Sequence, residues 1–197
     1  MIETTGLVVK YKNIIFKFDN YHFKKNKISV ISGRNGAGKT TLLKSLASLI
    51  KYEGNVKVNG EITYNSQEAI IFNRSVYENI IYPLRIRKLD LSLYQDKITE
   101  YSKVLSIEHL LDKNALKLSS GEKMKVSIIR SIIFNPEIVL LDEPTTHLDL
   151  ESINELSILI KELKKKITFI VVSHNKTFIE ELIDEEYYLG GCKTCLS

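Results

Sequence analysis

An α/β fold, with a mostly parallel sheet covered by helices on both faces, is predicted by three observations. First, uniformly apolar, β-branched runs recur along the chain: "KISVISG" (27–33), "EIVLLDE" (137–143) and "ITFIVVSH" (167–174). Second, each run is followed by residues with apolar positions at helical spacing. Strands that are apolar throughout are buried on both faces, the signature of parallel strands between helices. Third, the stretch from about Ser75 to Leu118 lacks such runs and carries helical segments with many tyrosines. It reads as a helical subdomain inserted into the α/β core.

The elements follow in chain order. "GLVVKYKN" and "IIFKFDN" alternate apolar and polar residues and predict two short antiparallel strands, an N-terminal antiparallel β part. After the buried strand at 27–33, "GKTTLLKSLASLI" (38–50) predicts a helix. "NVKVNGEITYN" (55–65) is two alternating runs joined by Asn59-Gly60, which predicts a hairpin. "LESINELSILIKELKKK" (150–166) has an apolar stripe and a basic end that suits the helix dipole. "KTFIEELIDE" predicts one more helix and "EYYLGG" a last strand. The expected division is a single domain over 1–197, with a core of 1–72 and 119–191, an insert of 73–118 and a tail of 192–197.

The 197 residues are 44% hydrophobic, enough for one domain with a sizeable core. A net charge of +4, carried mostly by lysine, fits a soluble surface and no nucleic-acid partner is expected. No apolar run approaches the roughly 20 residues that span a bilayer. "MIETTGLVVK" has no basic segment followed by an apolar core, so a cytoplasmic chain is expected. Cys192 and Cys195 form a lone Cys-x-x-Cys with no second pair to complete a metal site. They are expected in an unstructured tail in a reducing compartment.

"GRNGAGKTT" (33–41) matches G-x-x-x-x-G-K-[ST] between a predicted strand and a predicted helix, where a phosphate loop belongs. Gly33, Gly36 and Gly38 let backbone amides turn inward, and with Arg34, Asn35, Ala37 and Thr41 they complete the loop. Lys39 supplies a point charge for the outer phosphates, and the Thr40 hydroxyl suits Mg²⁺. This predicts a P-loop NTPase core, a class shared by kinases, GTPases and motors. "IVLLDEPTTHLD" (138–149) then ends a buried strand in two acids. Asp142, at the strand tip, is the candidate to hold Mg²⁺ through water. Glu143, pointing the other way, is the candidate to orient or deprotonate a water. In "LKLSSGEKMKV" (116–126) Ser119 and Glu122 have the spacing of a capping box, so a helix should start there.

Taken together these residues resemble the ATP-binding subunits of ABC transporters, over nearly the whole chain and in the expected order. "GRNGAGKT" resembles Walker A and "IVLLDE" Walker B; Gln67 in "YNSQEAIIF" falls at the Q-loop glutamine. "LSSGE" (118–122) resembles the signature motif, "THLD" the D-loop with Asp149, and His174 in "VVSHN" the switch histidine. The resemblance implies ATP and Mg²⁺ as cofactors, with Gln67 touching Mg²⁺ or the attacking water and His174 ordering Glu143. It also implies an aromatic that stacks on adenine. Tyr11 is best placed, with Phe16 and Phe18 competing. Two such chains, or this chain and a similar ATPase, would pair head to tail, each ATP lying between one phosphate loop and the other's Ser119, Ser120, Gly121 and Glu122. Ser120 departs from the usual glycine and Glu122 from the usual glutamine.

The resemblance further implies a separate transmembrane permease, a solute-binding protein in the full system and a place at the inner face of the membrane. "FNRSVYENI" followed by "PLRIR" is similar to importer ATPases for phosphate, tungstate and molybdate, and Phe72, Tyr77 and Tyr82 are candidates to line a permease groove. The compact chain is also similar to haem-export subunits. Two other readings stay open: a small-molecule kinase, and a nucleotide-dependent regulatory or assembly module of low turnover.

Overall fold

The strands are β1 (Ile2–Tyr11), β2 (Ile14–Lys17), β3 (His22–Phe23), β4 (Ile28–Gly33), β5 (Glu53–Val58), β6 (Ile62–Asn65), β7 (Ile138–Asp142), β8 (Thr168–Val172), β9 (Glu185–Leu189) and β10 (Cys192–Cys195). The helices are α1 (Lys39–Leu46), α2 (Val76–Ile86), α3 (Gln95–Val104), α4 (Ser120–Ile132), α5 (Leu150–Leu163) and α6 (Lys176–Leu182). They are seen in a computed structural model that describes residues 1–11, 14–190 and 192–195, with Tyr11 and 192–195 as backbone alone.

β6, β7, β8, β4 and β9 form a 5-stranded sheet in that order, parallel throughout. β7 shows why its sequence is apolar at every position. Ile138 and Leu140 pack with α1 and the antiparallel strands, whereas Val139 and Leu141 pack with α4, α5 and α6. A strand that alternates between two cores has no polar face to show. The second sheet is antiparallel, with β1 pairing β2, β3 and β5. It encloses α1 against the parallel sheet.

Two expectations fail. Asn59-Gly60 does not join a hairpin: β5 pairs β1 and β6 pairs β7, in different sheets. The short turn needs both residues left-handed, and of the two only Gly60 is (φ +119). The chain instead crosses between sheets, held by Asn59 N donating to the Met1 carbonyl (3.0 Å) and Glu61 N to the Glu137 carboxylate (2.7 Å). The tail is not unstructured either, for Cys192–Cys195 pairs antiparallel with β2. The four residues satisfy the outer edge of β2 through their backbone, which requires no apolar pattern in the sequence.

The insert contains α2 and α3 joined by one 3₁₀ turn, and two more follow α3. Ser75 and Glu78 form a capping box at α2. The insert is tied to the core where Lys125 of α4 meets Glu155 of α5 at 2.8 Å, a largely buried pair to which Ser106, just past α3, also donates. No helix among the described residues is long and apolar enough to cross a membrane.

Candidate functional site

β4 ends at Gly33 and α1 begins at Lys39, so the phosphate-loop motif is the connection between them. The loop needs its glycines. Gly38 has φ +101, and a Cβ there would stand 2.7 Å from the Phe16 ring. Gly38 caps α1 with no side-chain hydrogen bond, which leaves the amides of the helix N-terminus for a ligand. Lys39 is buried, and its ammonium is held by the carbonyls of Gly33 (2.8 Å) and Arg34 (3.3 Å). An uncapped helix start beside a buried cation fits the phosphates of a nucleotide.

A cleft of about 470 Å³ opens over this loop. It brings together Asn35, Gly36, Gly38, Lys39, Thr40 and Thr41 with the distant residues Gln67, Glu143 and His174. Asp142 is 1% exposed; its Oδ1 accepts from Thr40 Oγ1 at 3.0 Å and its Oδ2 from the Tyr64 hydroxyl at 2.8 Å. A hydroxyl and a carboxylate at this separation suit Mg²⁺, which takes few protein ligands and keeps its waters. Gln67 and Asp142 also share a smaller cavity of about 300 Å³, which Thr40 lines too.

Glu143 turns away from Asp142. It is left-handed (φ +51), with its amide donating to the Val172 carbonyl at 2.8 Å. His174 grips its carboxylate twice: the backbone amide donates to Oε2 at 3.1 Å, and Nε2 lies 3.3 Å from Oε1. The loop after β8 thus aims the carboxylate of Glu143, the residue that follows β7. A second bond between these loops joins Thr145 and Ser173 at 3.1 Å, both buried.

Ser119, Ser120, Gly121 and Glu122 do not line the cleft. The capping box is present: Glu122 N donates to Ser119 Oγ (3.2 Å) and Ser119 N to the Glu122 carboxylate (2.7 Å). The amide of Ser119 is taken within its own chain, so the donors left at this helix end are the amides of Ser120 and Gly121. Gly121 is not simply open to a ligand, since a Cβ there would stand 2.7 Å from the His147 carbonyl oxygen. The turn at 119–122 and the loop at 146–149 are therefore packed against each other. Asp149 caps α5, accepting from Ser152 N at 2.9 Å, and the Ser152 hydrogen bonds hold its carboxyl below the ordinary range.

The hydrogen bond from the Ser119 amide holds the Glu122 carboxyl below its ordinary value near 4.5. The unfolded chain then binds the proton more tightly, so the cap's charge-dependent stability is present above that pH and lost as pH falls below it. Glu122→Gln keeps an acceptor at the box. Thermal melts between pH 3.5 and 6 should show the wild type losing stability relative to Glu122→Gln below about pH 4.5. Parallel curves would count against it.

The side chain of Tyr11 lies outside the described residues. Phe16 lines the cleft and is stacked on Phe18, centroids 6.2 Å apart. Phe72 and Tyr82 line another cavity of about 360 Å³ with Arg87, Arg130 and Phe134. Tyr77 does not join them: it packs on the main core and donates to Gln95 (3.4 Å), because its position on α2 faces α3. Tyr64 was not singled out by sequence. Burial, then its bond to Asp142, push the phenol above the ordinary tyrosine range, so it stays protonated and donates. A tyrosine on an alternating strand is unremarkable until β6 is known to lie beside β7.

A family model described as ABC transporter matches residues 16–146. The chain is 34% identical over 186 residues to the tungstate uptake system ATP-binding protein TupC of Peptoclostridium acidaminophilum, covering 89% of this chain and 87% of that one. It is 38% identical over 178 residues to the molybdate/tungstate import ATP-binding protein WtpC of Methanocaldococcus jannaschii, covering 84% of this chain but 57% of that protein. A solved structure titled as the ATP-binding subunit of an ABC transporter superposes with a TM-score of 0.89 at 20% identity, over 99% of this chain and 90% of that one, which shows the fold.

Proposed function

Since the chain belongs to the ABC transporter family, we propose that it is the ATP-hydrolysing subunit of an importer for an oxyanion of the tungstate or molybdate type. The observation that carries this reading is Glu143, aimed by His174 into the cleft over the phosphate loop. The likeness to TupC and WtpC supports the solute class.

ATP would supply the phosphoryl group whose transfer to water is the source of energy, and Mg²⁺ would neutralise the charge that develops on its oxygens. The chain's own residues position and polarise. The amides at the start of α1 and the Lys39 ammonium hold phosphate oxygens, the cation leaving the Gly33 and Arg34 carbonyls to do so. Thr40 would hold the metal, with Asp142 behind it through water and Gln67 lining both cavities beside them. Glu143 takes the proton of the attacking water on a carboxylate oxygen, and His174 keeps that oxygen in place. Ser119 and the Ser120 and Gly121 amides complete the site of a second, paired chain. The cavity at Phe72 and Tyr82 receives a segment of a separate permease, with the cations Arg87 and Arg130 lying over the rings of Phe134 and Phe72. The chain then works at the inner face of the membrane, with a solute-binding protein on the other side.

In cells lacking the chain, tungstate accumulation measured by mass spectrometry should fall and be restored by the wild type but not by Lys39→Ala. Unchanged oxyanion accumulation, with another solute affected, would overturn the solute class.

A further inference from the structure

The ladder that joins β7 to β8 ends at the pair Asp142–Val172. Glu143 and His174 both lie beyond it, so the sheet register does not fix how they face each other. Their own preferences do not fix it either. Glu143 holds a left-handed backbone (φ +51), which persists only where its surroundings impose it. The His174 side chain is 57% exposed, so packing does not hold the ring.

The neighbouring residues supply the missing tie. Thr145 and Ser173 are 8% and 4% exposed, and their hydroxyls lie 3.1 Å apart, one donating to the other. Ser173 Oγ also accepts from Asn175 N at 3.1 Å, and Asn175 caps α6 by accepting from Phe178 N at 2.9 Å. His174 therefore sits between two anchored residues. On the other loop, Thr146 N donates to the Glu143 carbonyl and Leu148 N to the Thr145 carbonyl, both at 3.1 Å. Thr145 thus belongs to the tight turn that begins at Glu143. Valine and alanine would fill these two positions with no hydroxyl to satisfy. A buried hydroxyl is costly unless it is paired, and this pair is made only while the two loops keep their separation.

We propose that Thr145 and Ser173 are positioning residues for hydrolysis, whose hydrogen bond sets the spacing between the two loops at which His174 aims Glu143. The inference rests on the reading of Glu143 as the group that takes the proton of the attacking water. Neither Thr145 nor Ser173 lines the cleft, so both act through Glu143 and His174. A misplacement of about 1 Å at a reacting group can cost about a hundredfold in rate. Losing one of several ties relaxes the aim in part, and about a tenfold loss is expected.

The test is Thr145→Val and Ser173→Ala in the full chain, with Thr145→Ser as the conservative variant and Glu143→Gln beside them. Phosphate release reads kcat, and a fluorescent ATP analogue reads nucleotide affinity. Thr145→Val and Ser173→Ala should each lower kcat about tenfold while analogue affinity stays within about twofold of wild type. Thr145→Ser keeps the hydroxyl and should keep kcat within about twofold of wild type. Added to Glu143→Gln, Thr145→Val should slow turnover by less than about twofold more, because no base is left to aim. An unchanged kcat in either folded variant overturns the proposal, as does a full tenfold further loss in the double variant. Loss of analogue binding or of the fold in both variants assigns the pair to stability alone and overturns it too. If Glu143→Gln itself turns over at the wild-type rate, the reading of Glu143 fails and the inference with it. If Glu143→Gln is slow and the hydroxyl variants are not, only the inference fails.

Discussion

Glu143→Gln should slow ATP turnover by at least about a hundredfold and leave an ATP-bound pair of chains. A positioned general base contributes about 10²–10⁴ to a rate, and the amide cannot take the proton. The substitution is otherwise quiet. The glutamine oxygen can still accept from the His174 amide, and its NH₂ can donate to a neutral His174 Nε2, the two contacts that hold the glutamate now. Nucleotide binding and closure should therefore survive while hydrolysis, which releases the pair, does not. Size-exclusion chromatography with ATP and Mg²⁺ reads the pairing, and phosphate release reads the rate. A variant that stays monomeric while hydrolysing at the wild-type rate would sink the assignment of Glu143.

Gly121→Ala should abolish that pairing with little loss of fold. The new Cβ would stand 2.7 Å from the His147 carbonyl, a backbone atom that cannot swing aside as a side-chain end can. His147 is itself left-handed (φ +81), so its loop has little slack. Two terms compete in stability. Alanine gains about 1 kcal/mol of helix propensity over glycine, and overpacking costs about 1–3 kcal/mol. The net loss is at most about 2 kcal/mol, and the melting temperature should stay within about 8 °C of wild type, at roughly 2–4 °C per kcal/mol. What moves is the relation between the signature turn and the D-loop, the two stretches proposed to face the partner. In a Glu143→Gln background the ATP-dependent dimer should disappear while analogue binding by the single chain persists. A dimer of unchanged strength would show that the close packing at Gly121 is irrelevant to pairing.

The central parallel strands β4, β7 and β8 were legible because each is buried on both faces, and a strand with no polar side leaves a run such as "IVLLD". The phosphate loop was legible because its chemistry depends on backbone, and only a few residue types permit that backbone. The capping box at Ser119 and Glu122 is local, and its spacing alone found it. The Asn59-Gly60 hairpin misled for the complementary reason. Two turn residues specify a bend, but which strand lies beside β6 is decided by residues 76 positions further on. The same distance hid Tyr64, whose importance arises only where β6 and β7 share a register. The strand at 192–195 was invisible because an edge is completed by backbone groups that every sequence carries.

Ser75 and Asn114 form an antiparallel bridge across the two ends of the insert, so it leaves the core and returns to it at adjacent points. In polymer terms it is a loop whose ends are already closed. The entropy of closing such a loop grows only logarithmically, by about 0.6 kcal/mol for each doubling of its length. Lengthening or trimming the helical part thus costs the core little. The surface proposed to receive the permease can be rebuilt residue by residue while the strand tips that carry Asp142 and Glu143 keep their places.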